Sequence, residues 1–282
     1  MIARYFDAHC HVQFEQYDKD RESVIEAMRE HGIAGIVVGC DLESSRKAVE
    51  LAERHDHLFA SVGLHPNHAA LERFDLSAYR ALAGSAKVVA IGECGLDYYR
   101  TTGAALDDAK KEQERLFREH VALAAELGLP LIIHARPSKG TMDAYHDVIA
   151  ILKEAKAQHP RLSGDIHFFV GGVPEAEAFL ALGFTVSFTA VVTFAREYDE
   201  SIRAVPLSSI LSETDAPYVA PQSRRGARND SLAIPEVVAK IATIRGEDPE
   251  TVRAILLANA RRVFSVPDTE AAEALAEAGI SC

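Results

Sequence analysis

Residues 87–93 read KVVAIGE and residues 129–134 read LPLIIH. Each is a short apolar run that stops on an ionisable residue, Glu93 in one and His134 in the other. The same form recurs in FDAHCHV (6–12), DIHFFVGG (165–172) and LSETDAPYVAP (211–221), which carry His9, His11, His167 and Asp215. Apolar runs are costly places for ionisable groups that have no use.

Eight such runs are read as strands, at 4–9, 34–39, 58–63, 87–92, 129–134, 164–169, 184–188 and 209–213. Between them lie amphipathic segments near 18–31, 43–56, 75–84, 108–127, 141–157, 174–181 and 196–205, and helices near 234–245 and 249–263 close the pattern. Strand alternating with helix implies parallel pairing with right-handed crossovers. Eight repeats in this length fit a closed (β/α)8 TIM barrel better than an open sheet, with functional residues at the C-terminal ends of the strands. Gly32 and Gly128 are expected to close helices, Pro174 to sit in a first turn, and Asp248 with Pro249 to cap and start the last helix. The expected division is one barrel domain over residues 1–265, followed by a short helix or tail at 266–282.

The 282 residues carry 30 Lys plus Arg against 42 Asp plus Glu, a net charge of −12. That balance excludes a protein that coats duplex DNA through its overall charge, but not one that grips a strand end locally. No apolar run approaches the ~20 residues of a membrane-spanning helix. No signal-like segment is read at the start, so the expected location is cytoplasmic. Cys10, Cys40, Cys94 and Cys282 are scattered, without a CxxC pair, which argues against a disulfide framework or zinc ribbon. Strand alternation turns Cys10 and Cys94 away from the neighbouring His9, His11 and Glu93.

Alone, His134 or His167 would read as a hydrogen-bonded core histidine, Asp215 as a turn cap and Glu93 as half of an ion pair. Together they call for a shared purpose, and a divalent metal centre at a barrel rim supplies one. His9 and His11, two apart on a strand, face the same way. Four histidines and two acids can hold two ions, with Glu93 as the natural bridge. By the same period of two, Asp7 and Glu213 are expected to point inward, one layer deeper, and to orient metal-bound histidines. His55, His57, His120 and His146 fall on helical segments and are expected at the surface.

The strings FDAHCH, VGLHPN, IGECGLDYY, IIHAR, IHFFVGG and ETDAPYVAP, followed by RRGARND, resemble the TatD family of metal-dependent deoxyribonucleases, part of the amidohydrolase superfamily. The resemblance spans residue 5 to about 264. It implies a metallo-dependent hydrolase barrel, two divalent ions and hydrolysis of phosphodiesters at the 3′ end of DNA, sometimes RNA. His9, His11, Glu93 and Asp215 would hold one ion; Glu93, His134 and His167 would hold the other. The chain departs from the family at Asn67, at Pro137 and Ser138, at Phe168 to Gly171, and at Asp230 and Ser231. These positions bear on substrate preference.

The expected chemistry is two-metal hydrolysis, with Asp215 as general base. Mg²⁺ or Mn²⁺ would serve catalysis, and Zn²⁺ could be the tightly bound ion. Arg228, with Arg224 and Arg225 nearby, is a candidate phosphate contact, as is His65. Tyr98 and Tyr99 are candidates for stacking on a terminal base. The expected partner is nucleic acid as substrate, with no membrane and no stable protein partner. The competing readings are hydrolysis of an amide, ester or lactone on the same metal site, removal of a misplaced aminoacyl group from transfer RNA, and a binding module without catalysis.

Overall fold

The structure is a computed structural model that describes residues 3–69, 71–99 and 106–267. Eight strands form one parallel sheet in sequential order. They are β1 (Tyr5–Cys10), β2 (Ile33–Val38), β3 (Leu58–Val62), β4 (Val88–Asp97), β5 (Leu131–Arg136), β6 (Gly164–His167), β7 (Phe184–Phe188) and β8 (Ile210–Ser212). The described helices are α1 (Arg21–Glu30), α2 (Leu42–Arg54), α3 (Leu76–Leu82), α4 (Leu106–Leu127), α5 (Asp143–Gln158), α6 (Val173–Ala181), α7 (Asp199–Ala204), α8 (Ile234–Arg245) and α9 (Pro249–Phe264). The expected (β/α)8 alternation is therefore present. β8 is short, and the loop after it brings the sheet round to β1. Asp215 N donates to His9 O at 2.9 Å, and His11 N donates to Ala216 O at 2.7 Å.

Two apolar layers hold this shape. One lies between the sheet and the helices and includes Val37, Ile91, Ile133, Ile166 and Val186. The other fills the barrel floor: Phe6, Ile36, Phe59, Val89, Ile132 and Leu211 pack against Leu257, Ala260 and Phe264 of α9. The ring of Phe6 stacks with Phe59 at 6.3 Å and with Phe264 at 6.5 Å. The floor is thus shut with side chains, and the polar residues are left to the opposite end.

Helix punctuation follows the expected chemistry. Gly32 and Gly128 come just after α1 and α4. Asp248 accepts from Thr251 N at 2.8 Å as the cap of α9. One strand differs usefully from expectation. β4 runs on past Glu93 to Asp97, with Gly95 opposite His134 and Asp97 opposite Arg136 on β5. Gly95 permits this: it sits at φ +135°, and a Cβ there would lie 2.0 Å from His134 O. Most of the expected tail, 268–282, lies outside the described residues. Among those that are described, no helix is long and apolar enough to cross a membrane.

Candidate metal centre

The site gathers at the C-terminal ends of the strands. Glu93 is central, because its two oxygens face two different sets of side chains. Oε2 lies 3.5 Å from His9 Nε2 and 3.9 Å from His11 Nε2. Oε1 lies 3.0 Å from His134 Nδ1, 3.2 Å from His167 Nε2 and 3.4 Å from His65 Nε2. Asp215 Oδ1 completes the first set, at 3.5 Å from His11 Nε2 and 3.9 Å from His9 Nε2. The structure brings all six sequence-predicted donors together.

The donor set fits divalent ions. His9 Nε2 and His11 Nε2 stand 3.1 Å apart. Two nitrogens at ~2.0–2.1 Å from one ion stand about 3–3.4 Å apart at near-tetrahedral angles. Three close groupings of donors result: His9, His11 and Glu93; His9, His167 and Asp215; and His65, Glu93 and His134.

Distance alone would count His65 as a donor equal to the others, but its hydrogen bonds argue otherwise. A backbone N–H can only donate, and Asn67 N donates to His65 Nδ1 at 3.1 Å. A neutral His65 must therefore carry its proton on Nε2, the atom that faces Glu93. His11 is the reverse case: its Nδ1 donates to the Val38 carbonyl at 2.8 Å, which leaves Nε2 with a lone pair. His167 Nδ1 donates to Glu213 Oε1 at 3.2 Å, with the same result. His134 Nε2 faces Asp97 Oδ2 at 3.3 Å, which leaves Nδ1 free to bind. In their neutral forms, His11, His134 and His167 therefore present lone pairs to the site, and His65 presents an N–H.

The charges respond to this crowding. Burial pushes Glu93 up, but the charges of His65, His167 and His9 and the hydrogen bond from His134 outweigh it and hold the carboxyl well below its usual range. Burial likewise raises Asp215, but the hydrogen bond with His11 and the histidine charges lower it overall. Burial opposes a charge on His167, yet Glu213 and Glu93 raise it well above the ordinary histidine value. Such mutual dependence of buried groups is typical of functional sites.

Several expectations are corrected. Asp7 does not share a face with His9. The ladder to β2 is irregular between Asp7 and Cys10, so the strict alternation breaks there. Asp7 instead accepts from Thr214 N at 2.9 Å and Thr214 Oγ1 at 2.6 Å, tying β1 to the segment after β8. Tyr98 is 1% exposed and donates to Asp147 Oδ2 at 3.0 Å, so it packs under the rim and cannot stack on a base. Arg228 grips Asp20 with two bonds of 2.8 and 2.7 Å and lies over the Tyr17 ring, so its fork is not open to a phosphate. Arg224 is paired with Asp230, and Arg225 lies over Phe194. His57 and His120 are buried rather than at the surface; His146 is exposed.

Two residues near the site escaped the reading of the sequence. Asp97 faces His134 and also accepts from Asn67 Nδ2 at 2.9 Å. A period of two runs from Glu93 through Gly95 to Asp97, so a signal existed. The Cys40 thiol, just past β2, donates to Glu93 Oε2 at 3.4 Å. Burial, then the Glu93 charge, holds it well above the usual thiol range. No local pattern marks Cys40.

A barrel whose rim carries histidines and carboxylates around one shared glutamate defines a metal-dependent hydrolase. Residues 6–265 match the family described as TatD related DNase, and the chain belongs to it. It is 37% identical over 266 residues to the uncharacterised metal-dependent hydrolase YabD of Bacillus subtilis, covering 93% of this chain and 99% of that one. It is 35% identical over 272 residues to the 3′-5′ ssDNA/RNA exonuclease TatD of Erwinia tasmaniensis, covering 93% and 100%. The crystal structure of YJJV, a TatD homologue from Escherichia coli, superposes with a TM-score of 0.84 at 30% identity, covering 95% of this chain and all of that one.

Proposed function

We propose that the protein is a metal-dependent 3′-5′ exonuclease of single-stranded DNA, with RNA as a second substrate, acting from the single barrel of residues 1–265. The observation that carries the reading is Glu93, with one oxygen toward His9 and His11 and the other toward His134 and His167. In this reading His9, His11, Glu93 and Asp215 hold one divalent ion, and Glu93, His134 and His167 hold the other. Mg²⁺ or Mn²⁺ is the working ion, and Zn²⁺ suits the histidine-rich donor set. Ions bound there supply a Lewis-acid clamp for the phosphate and a more acidic water.

The residues themselves have separate tasks. Asp215 accepts the proton of the attacking water. The water oxygen bonds to phosphorus, the bond to the 3′ oxygen of the remaining strand breaks, and that oxygen takes up a proton. The product is a 5′-mononucleotide. His65 donates its Nε2–H toward a phosphate oxygen or Glu93. Glu213 and Asp97 hold the His167 and His134 rings in the ligating tautomer. Cys10, Cys40 and Cys94 are free thiols, which supports a reducing, cytoplasmic setting.

A gel assay of 5′-labelled single-stranded DNA with Mg²⁺ or Mn²⁺ tests the proposal. The expected result is a ladder shortening from the 3′ end, absent after EDTA treatment and in Glu93→Ala. A metal-loaded protein that yields no ladder on DNA or RNA would overturn it and turn the search to amide, ester and aminoacyl-transfer-RNA substrates.

A further inference from the structure

Four large hydrophobic side chains stand out as exposed among the described residues: Leu71, Leu76, Tyr99 and Tyr218. The two tyrosines both lie just past metal-centre strands, Tyr99 after β4 and Tyr218 three residues beyond Asp215. Tyr99 is 47% exposed, whereas its neighbour Tyr98 is 1% exposed. Exposed aromatic surface beside a polar site marks contact with something else.

Tyr99 also has a cation on it. The guanidinium carbon of Arg136 lies 4.1 Å from the centre of the Tyr99 ring. Arg136 is the last residue of β5, two beyond His134, so it leans toward the mouth. In a chain of net charge −12, Arg136 has no acidic partner among the described residues. Arg224 and Arg228, by contrast, are both matched with aspartates. A guanidinium stacked on a ring keeps its N–H edge available for phosphate oxygens.

The stack is also tied to the metal centre. Tyr99 N donates to Asp97 Oδ1 at 3.0 Å, Asp97 Oδ2 faces His134 Nε2 at 3.3 Å, and His134 Nδ1 faces Glu93 at 3.0 Å. A nucleotide docked on Tyr99 would thus be held in fixed register with Glu93.

We propose that Tyr99 and Arg136 form the docking platform for the strand end. Tyr99 stacks on an unpaired base that flanks the scissile phosphate, and Arg136 contacts the adjoining backbone phosphate. A base that must stack on Tyr99 has to be unpaired, so the platform selects single strands over duplex ends. This inference rests on the nuclease reading and assigns substrate contacts that the engaged arginines of the loop after β8 do not provide.

The test compares two 5′-labelled single-stranded oligonucleotides with the metal-loaded protein. One is intact, and the other carries tetrahydrofuran residues in place of the two bases flanking the terminal phosphodiester. For wild type, KM should be about 10-fold lower on the intact strand. Tyr99→Ala should lose that advantage and converge with wild type on the abasic strand, and Tyr99→Phe should restore it. Arg136→Met should weaken binding to both strands and reduce the slope of log affinity against log salt by about 0.7. If wild type prefers the intact strand and Tyr99→Ala keeps the preference, the platform is wrong and the nuclease reading stands. If wild type shows no base preference, the platform is also wrong. If wild type neither binds nor shortens either strand, both readings fall.

Discussion

Ile132 on β5 and Leu211 of β8 meet in the apolar floor of the barrel with Phe6 and Phe264. Two residues further along, His134 faces Glu93, and Glu213 faces His167. The chain runs are the same, Glu213 lying just past the end of β8, but one step of the pleat changes hydrocarbon into buried charge. At the floor each side chain contributes by removing area from water, about 1.5–3 kcal/mol for a large one. At the mouth each group is tolerable only because its neighbours compensate it. The floor should therefore control stability and the mouth activity, and substitutions can separate the two.

The largest effect is expected at the mouth. Glu93→Ala should lower turnover of single-stranded DNA by ~10³-fold or more, because it removes the charge shared by both histidine sets. Bound metal, measured by elemental analysis, should fall with it while the thermal transition persists. The converse case is Phe264→Ala, which should cost about 3–5 kcal/mol in urea unfolding and leave turnover per folded molecule unchanged. A loss of activity that tracks folded fraction in both variants would erase the distinction.

His120 offers a polar test away from both ends. It is buried in α4, accepts from Leu64 N at 2.9 Å and donates to Leu116 O at 2.8 Å. Burial depresses its pKa to about 4. Because the folded value lies below the unfolded one, the stability it contributes is present above about pH 6.5 and is lost as pH falls toward 4. The loss amounts to about 3 kcal/mol. His120→Gln should flatten that part of the stability profile, and an unchanged difference between pH 7 and pH 4.5 would contradict the account.

Smaller effects should distinguish histidines that look alike by distance. Glu213→Gln removes the charged acceptor that fixes the His167 tautomer, and metal affinity should fall ~10–100-fold. His65→Ala should leave metal content intact and raise KM instead. Equal loss of metal in the two variants would place His65 among the ligands.

Much of this was legible in the sequence. The strand-helix rhythm gives the barrel, and the period of two puts Glu213 beside His167. It failed at Asp7 because the irregular pairing between Asp7 and Cys10 shifts the alternation, which no residue type announces. It would have found Asp97 had β4 been carried past Gly95. His120 was readable as well: with Phe117, Val121 and Ala124 it shares the apolar stripe of α4. Arg228 was not, since its partner Asp20 lies 208 residues away, and such pairs are visible only once the chain has folded. The tautomer of His11 also depends on a backbone atom brought near by the fold, the Val38 carbonyl.

The most direct test of the central claim is a crystal structure of the Mn²⁺-loaded protein with anomalous scattering recorded. The account predicts two ions ~3.5–4 Å apart, each bound by a different oxygen of Glu93, with His65 outside both coordination shells. A single ion, or a second ion held by His65 in place of His167, would contradict it.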